Sequence, residues 1–173
     1  MEKFSIGTHL AVKGFPVVDI SAGAGLTIGN NVVLNSQNLD YHVNMFAPVK
    51  LFADRENAVI KIGNNTRIHG SCIHAYELIE IGNNCLIAAN CQIFDGNGHD
   101  LSFDNLENRI KTKGSSKPIH IGDNVWLGTG VIILPGVTIG NGSVVAAGSV
   151  VRNNIPAMVV AAGNPAVIIR EYR

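Results

Sequence analysis

A large aliphatic residue returns at every sixth position in the C-terminal half of this 173-residue chain. The series is Ile121, Leu127, Ile133, Ile139, Val145 and Val151. A half-buried strand has a period of two and a helix a period of about 3.6, so a period of six fits neither element alone. It fits a short strand followed by a bend, repeated three times per turn of a β-solenoid with about 18 residues per coil.

Residues one coil apart should stack along parallel ladders with a spacing of about 4.8 Å. The predicted stacked pairs are Ile121 with Ile139, Leu127 with Val145, and Ile133 with Val151. A small or β-branched residue stands two positions before each aliphatic and predicts a second inward row: Val125, Val131, Val137, Ser143 and Ser149. The same unit occurs upstream in IGNNTRIHGSC and IGNNCLIAANCQI, where this row would hold Thr66, Cys72, Cys85 and Cys91. All three cysteines are therefore expected to point inward.

Composition agrees with a narrow core and many bends. Aromatic residues make up 6% of the chain and charged residues 15%, with 19 glycines. The formal net charge is zero, which offers no general attraction for nucleic acid or for a membrane surface. The start, MEKFSIGTHL, lacks a signal-peptide pattern, and no apolar run is as long as a membrane helix. Three cysteines without a CxxC pair favour a reducing cytoplasm.

The run IGDNVWLGTGVIILPGVTIGNGSVVAAGSVV and the following PAMVVAAGNPAVIIR resemble the hexapeptide-repeat acyltransferases. The similarity is greatest to the maltose, galactoside, xenobiotic and surface-polysaccharide acetyltransferases and covers roughly residues 59–170. It implies an all-β, left-handed parallel β-helix that assembles as a homotrimer. It also implies acetyl-coenzyme A as the co-substrate, with no metal.

The expected organisation is a single domain over residues 1–173. Less regular N-terminal coils are expected over 1–57, because that stretch matches the repeat less sharply. A loop insertion is expected over 94–117, where the rhythm stops. A short C-terminal helix is expected over 164–173, because Asn164 and Pro165 are suited to the cap and first position of a helix.

The polar insertion DGNGHDLSFDNLENRIKTKGSSK, residues 95–117, contains the candidate catalytic residue. Loops of this length in a compact domain are usually functional or disordered. The resemblance implies that His99, near the start of the loop, is catalytic. An imidazole suits this role, because it can accept a proton at neutral pH while a hydroxyl or amine attacks the thioester. We also expect Asp95 and Asn97 to contact the acceptor, and Asp95 is alternatively placed to orient His99.

The coenzyme contacts are assigned from the resemblance and from position in the coils. Trp126, the only tryptophan, is expected in the groove that holds the pantetheine arm. The other expected contacts are Gly128, Thr129, Ala147, Gly148, Arg152 and Arg170. The two arginines are expected to bind the phosphates, and backbone N–H groups near Gly128–Gly130 to stabilise the oxyanion.

The acceptor is expected to be a small molecule, most simply a sugar, a nucleotide sugar or a surface-polysaccharide precursor, and O- and N-acetylation both stay open. Two other classes remain. His69 and His74 in HGSCIH suggest a zinc-dependent carbonic anhydrase built on the same solenoid, although His74 falls either at an inward position or in the break before Ile81. A catalytically inactive β-helix scaffold is the non-enzyme alternative.

Overall fold

The computed structural model describes residues 4–172, which form short strands joined by bends. The strands are β1 (Phe4–Ile6), β2 (Ala11–Lys13), β3 (Val17–Ile20), β4 (Gly25–Ile28), β5 (Val33–Asn35), β6 (Lys50–Ala53), β7 (Val59–Ile62), β8 (Arg67–His69), β9 (Cys72–Ala75), β10 (Leu78–Ile81), β11 (Leu86–Ile87), β12 (Gln92–Phe94), β13 (Ile119–Ile121), β14 (Trp126–Leu127), β15 (Ile132–Ile133), β16 (Thr138–Ile139), β17 (Val144–Val145), β18 (Val150–Val151), β19 (Val159–Gly163) and β20 (Ala166–Glu171). The one helix in the described residues is a 3₁₀ helix, Leu106–Lys111. No helix in residues 4–172 is long and apolar enough to cross a membrane.

Consecutive strands pass through three sheets in turn, and the fold is a left-handed parallel β-helix. Sheet A has the order β1-β4-β7-β10-β13-β16, and sheet C contains β3, β6, β9, β12, β15 and β18. Sheet B has the order β2-β5-β8-β11-β14-β17-β19-β20. The expected fold class is confirmed.

The predicted stacking is confirmed along all three sheets. Ile121 pairs with Ile139 in sheet A, and Leu127 pairs with Val145 in sheet B. In sheet C, Ile133 pairs with Val151. The second inward row is also buried at Val125, Val131, Val137, Ser143 and Ser149. The aliphatic residues of both rows belong to one continuous apolar core along the coil axis.

The predicted inward position of Cys72 is wrong, because the bend after β8 is one residue shorter than the others. The inward residue after Ile68 is Ile73, which is fully buried and pairs with Ile93. Ser71 therefore occupies the inward position assigned to Cys72, and its hydroxyl donates to the Ala88 carbonyl at 2.8 Å. Cys72 and His74 take the outward positions of β9. Gly70 makes the short bend possible with a φ of 40°, in the left-handed region that favours glycine.

Asparagines stack along the corner that follows sheet A. Asn31, Asn65, Asn84 and Asn124 all have left-handed backbone conformations, with φ between 56° and 58°. Asparagine tolerates this region better than most residues do. The side chain of Asn65 also bridges its neighbours, since its oxygen accepts from Asn31 at 3.1 Å and its amide donates to Asn84 at 3.0 Å.

Residues 4–57 are already part of the β-helix, because β1 to β6 pair in register with the coils that follow. The irregularity expected over 1–57 is concentrated in a loop at residues 36–49, between β5 and β6. Residues 1–3 lie outside the described part. The second loop is the predicted insertion between β12 and β13.

The expected C-terminal helix over 164–173 is wrong within the described residues, because the chain forms a β-hairpin there. Strands β19 and β20 are antiparallel, and Asn164 and Pro165 form the connection between them. Two effects override the helix-cap signal. The segment contains the β-branched residues Val167, Ile168 and Ile169, which favour strands. In addition, β19 offers β20 an open edge with backbone groups to pair. Arg173 lies outside the described residues.

Candidate active site

An elongated groove runs along the outer face of sheet B. Its volume is about 660 Å³, and one wall is the loop at residues 36–49. The groove extends across the coils from Lys13 in β2 to Ala147 after β17. Four of the predicted coenzyme contacts, Trp126, Gly128, Thr129 and Ala147, are among the residues that line it.

The C-terminal half of the groove has a flat apolar floor. Leu86, Trp126 and Val144 follow one another at the same outward position of neighbouring strands. The side chain of Trp126 is 51% exposed and that of Leu86 is 44% exposed, so both present apolar surface to the groove. Such a strip can hold an extended and largely apolar chain.

Small residues border this floor. Gly128, Thr129 and Ala147 line the groove together with Trp126. A Cβ added at Gly128 would lie 2.6 Å from the Ala147 nitrogen, so only glycine lets the two coils approach this closely. Gly148 lies beside them and donates to the Thr129 carbonyl at 2.8 Å. The structure therefore brings five of the seven expected coenzyme contacts to one place.

The backbone N–H groups of Gly128 and Gly130 are engaged in the coil ladders. They donate to Val145 at 2.8 Å and to Ala89 at 2.9 Å respectively. These two N–H groups are therefore not the free oxyanion donors that were expected near Gly128–Gly130. The N–H of Thr129, between them, has no acceptor within residues 4–172 and is available to a ligand.

The two arginines assigned to the phosphates lie apart from the groove floor. Arg170 pairs with Val160 at the edge of sheet B, further along the outward ladder that contains Trp126. Its guanidinium lies 4.6 Å from the ring centre of Tyr172. Arg152 follows β18 of sheet C, is exposed, and is not among the residues that line the groove.

The N-terminal half of the groove contains functional candidates that were not among the predicted acetyltransferase site residues. Tyr41, from the loop at 36–49, stacks on His69 with ring centres 4.4 Å apart. The Asn35 amide donates to Nδ1 of His69 at 3.2 Å, so the neutral ring carries its proton on Nε2. The available signal was the break in the six-residue rhythm between Leu34 and Leu51.

His69 is neutral at physiological pH. Burial is the main cause that lowers its pKa to about 4. Electrostatic interactions with Arg67, Lys13 and His42 lower this pKa further. At neutral pH His69 therefore offers hydrogen bonds to a ligand without adding a charge.

The loop with His99 begins at a narrow neck on the opposite side of the coil. Lys117 donates to the Asp95 carbonyl at 2.7 Å, and Asn97 donates to the Ser115 carbonyl at 2.9 Å. Beyond this neck the side chains of Asn97 and His99 are exposed. The loop leaves between sheet C and sheet A, whereas the groove lies on sheet B. Within one chain, His99 is not among the residues that line the groove.

Asp95 does not fit the expected acceptor contact. Its side chain is fully buried, and its carboxylate accepts backbone N–H groups from Tyr76, Glu77 and Leu78. The three distances are 2.6, 2.9 and 2.7 Å. All of this hydrogen-bonding capacity holds the turn before β10, so Asp95 is a structural residue under the loop.

Sequence and structure comparisons agree on one family. Residues 118–153 match the bacterial transferase hexapeptide (six repeats), and residues 59–94 match the hexapeptide repeat of succinyl-transferase. The crystal structure of a maltose O-acetyltransferase from Clostridium difficile is similar, with 30% sequence identity and a TM-score of 0.64. The similarity covers 99% of this chain and 72% of that one. The chain belongs to the hexapeptide-repeat transferase family.

Other members of the family match over shorter stretches. The galactoside O-acetyltransferase of Escherichia coli is 48% identical over 93 residues, which cover 54% of this chain and 44% of that protein. A hexapeptide-repeat acetyltransferase of Vibrio cholerae, in complex with acetyl-coenzyme A, is 37% identical with a TM-score of 0.61. That match covers 66% of this chain and 61% of the other. The present hexapeptide-repeat transferase spans about half the length of the curated relatives it matches.

The cysteines of this hexapeptide-repeat transferase are poor nucleophiles. Cys85 and Cys91 are buried in the core, and burial raises the pKa of Cys91 to about 11. Cys72 is half-buried on the outside of β9, and burial raises its pKa as well. A thiol with a raised pKa has little of the reactive thiolate at neutral pH.

The described residues offer no cluster for the zinc alternative. No three His, Cys, Asp or Glu side chains within residues 4–172 come together in a group that could hold a metal ion. His69 stacks on Tyr41 at sheet B, and His74 is stacked between Phe52 and Tyr76 at sheet C. The two histidines thus lie on different faces of the β-helix.

Proposed function

We propose that this protein transfers an acetyl group from acetyl-coenzyme A to a hydroxyl or amine of a small saccharide or nucleotide sugar. The groove with Trp126, Gly128, Thr129 and Ala147 carries this proposal, because it combines an apolar strip with a free backbone N–H. The similar Vibrio cholerae structure holds acetyl-coenzyme A, and the similar Escherichia coli protein is a galactoside O-acetyltransferase. Acetyl-coenzyme A as co-substrate and three free cysteines favour a cytoplasmic location.

The active site is proposed to form between the subunits of a homotrimer. His99 and the groove lie on different sides of one chain, so a complete site requires a second copy. The flat outer faces of parallel coils suit such packing. Light scattering should give a trimer, and a fully active monomer would contradict the shared site.

His99 is proposed as the general base. One ring nitrogen takes the proton of the acceptor hydroxyl or amine while that oxygen or nitrogen attacks the thioester carbon. The carbonyl oxygen becomes negative and accepts a hydrogen bond from a backbone N–H such as that of Thr129. The carbon–sulfur bond then breaks, and the coenzyme thiolate leaves and takes up the proton that His99 received.

No acyl-enzyme is required. The thioester is already activated, so the protein needs only to hold both substrates together and to move one proton. The raised pKa values of the three thiols also disfavour a cysteine intermediate. Arg170, at the far end of the outward ladder of sheet B, is the proposed partner for a coenzyme phosphate.

The test is release of free coenzyme A thiol from acetyl-coenzyme A in the presence of a panel of sugars, amino sugars and nucleotide sugars. An acetyltransferase should release thiol only when a suitable acceptor is present, and mass spectrometry should find the acetylated acceptor. Hydration of CO₂ together with bound zinc would support the carbonic anhydrase instead. Failure to bind coenzyme A at all would support the inactive scaffold.

A further inference from the structure

The two halves of the groove differ in charge. The residues around Trp126 are apolar or small, namely Leu86, Ala88, Gly128, Val144 and Ala146. The N-terminal half is lined by Lys13 and Arg67, which carry permanent positive charges, together with the polar side chains of Asn35 and His69. The loop at 36–49 adds one acid, Asp40, and a further histidine, His42, to this half.

The two cations are available to a ligand. Neither Lys13 nor Arg67 forms an ion pair with any of the residues 4–172. Both side chains are exposed. Lys13 and Arg67 bring two permanent positive charges to this half of the groove, against the one carboxylate of Asp40, so the fixed charges there sum to a positive value.

The strand register brings these groups to one surface. Arg67 and His69 are two residues apart in β8, so both side chains point outward on the same face. Lys13, Asn35 and His69 occupy the same outward position in three neighbouring strands. Lys13 is thus two strands away from His69, or roughly 10 Å along the coil axis. Lys13, Asn35, Arg67 and His69 also line one small pocket together, so both cations border the same space.

We propose that this N-terminal half of the groove is the acceptor subsite and that the acceptor carries a phosphate or a carboxylate held by Lys13 and Arg67. The inference rests on the proposed acetyl transfer and specifies its substrate class. His69, whose Nδ1 is held by Asn35, offers its Nε2–H to the uncharged polar groups of such an acceptor.

The phosphates of the coenzyme are the other source of this chemistry. They would reach Lys13 and Arg67 only if the coenzyme lay in the groove with its phosphates toward the N-terminal coils. The register argues for the opposite direction, because Arg170 provides a cation at the other end of the same outward ladder, beyond Trp126 and Val160. Separate measurements on coenzyme and acceptor distinguish the two sources.

The experiment compares matched acceptors and matched variants. Glucose, glucose 6-phosphate, glucuronate and a nucleotide sugar are tested with the full chain for thiol release, and their binding is measured by calorimetry. The variants are Lys13→Gln and Arg67→Gln, and Lys61→Gln on the outward face of sheet A is the control.

We expect binding of an anionic acceptor from this set and weaker or no binding of glucose. Each groove variant should raise the dissociation constant of the anionic acceptor about tenfold or more, because a charge-assisted hydrogen bond is lost. Lys61→Gln should leave it unchanged, and none of the three should change the affinity for coenzyme A.

Two results would overturn the proposal. Equal use of neutral and anionic acceptors by the wild type and both groove variants would remove the anion requirement. Weaker binding of coenzyme A in Lys13→Gln or Arg67→Gln would assign the cations to the coenzyme. Failure of the proposed function is distinguishable, since thiol release would then be absent with all acceptors while calorimetry would still report whether the anionic compounds bind.

Discussion

Arg55 donates two hydrogen bonds, each 3.2 Å long, to the carbonyl oxygen of Gly114. The same guanidinium lies 4.2 Å from the ring centre of Tyr76. On the other strand of the neck, a Cβ at Gly96 would lie 2.6 Å from the Tyr76 ring, so the loop is in close contact with that ring. Arg55 and Tyr76 therefore hold the base of the loop with His99 against sheet C.

This contact predicts that Arg55 positions His99. Arg55→Ala should lower kcat by roughly tenfold to a hundredfold, because a small displacement of a catalytic group is costly. The KM for acetyl-coenzyme A should not change, and Arg55→Lys should recover part of the lost kcat. Lys50→Ala is the control, because Lys50 is also a cation over an aromatic ring of sheet C, that of Phe52. A normal kcat in Arg55→Ala would show that the loop is held without it.

Asp95 should contribute to stability rather than to acceptor binding. Asp95→Asn places an amide opposite three backbone N–H donors, and we expect the free energy of unfolding to fall by about 2 kcal/mol or more. The exposed Asp104→Asn in the same loop should change it by less than about 0.5 kcal/mol. Denaturant unfolding measures both. Equal midpoints for the two variants would refute the structural role.

The inward and outward phases of β17 can be separated by one pair of variants. Val145 is fully buried in the core, whereas the neighbouring Val144 faces the groove. Val145→Asp buries an unpaired carboxylate and should cost several kcal/mol, enough to threaten folding. Val144→Asp should be much milder in a thermal melt. Similar melting temperatures for the two proteins would show that the assignment of Val145 to the core and of Val144 to the outer face is wrong.

Direct transfer predicts no acetylated cysteine. Incubation with acetyl-coenzyme A but without acceptor should leave the intact mass of the protein unchanged, because burial raises the pKa of all three thiols. Cys72→Ala should have the kcat of the wild type, as Cys72 is the least buried of the three. A stable acetyl adduct that disappears in Cys72→Ala would indicate a covalent route.

The solenoid could be predicted because the six-residue spacing of one aliphatic row equals the length of one strand and its bend. The row from Ile121 to Val151 has no interruption, so every residue in it has the predicted partner. At Ile68 the bend to Ile73 is shorter by one residue, and spacing alone assigned the inward position to Cys72. A local rule of this kind fails wherever a single residue is lost from the repeat.

The remaining errors arise where pairing with another strand decides the structure. Asn164 and Pro165 satisfy a local helix-start rule, but the open edge of β19 decides that the segment is a strand. Tyr41 and His69 are 28 positions apart, and only the coil stacking brings their rings together. The polar half of the groove could therefore not be predicted from sequence spacing. Trp126 and Gly128 could be placed, because they lie within the regular repeat.

The most direct test of the proposed mechanism is the turnover of His99→Ala with an acceptor that the wild type acetylates. We predict that kcat falls by about 10²–10⁴-fold, because the general base is lost. The affinity for coenzyme A and the melting temperature should stay at wild-type values, since the His99 side chain is exposed. His120→Ala, on the outward face of sheet A, should have normal kcat. Near-normal turnover in His99→Ala would contradict the proposed mechanism.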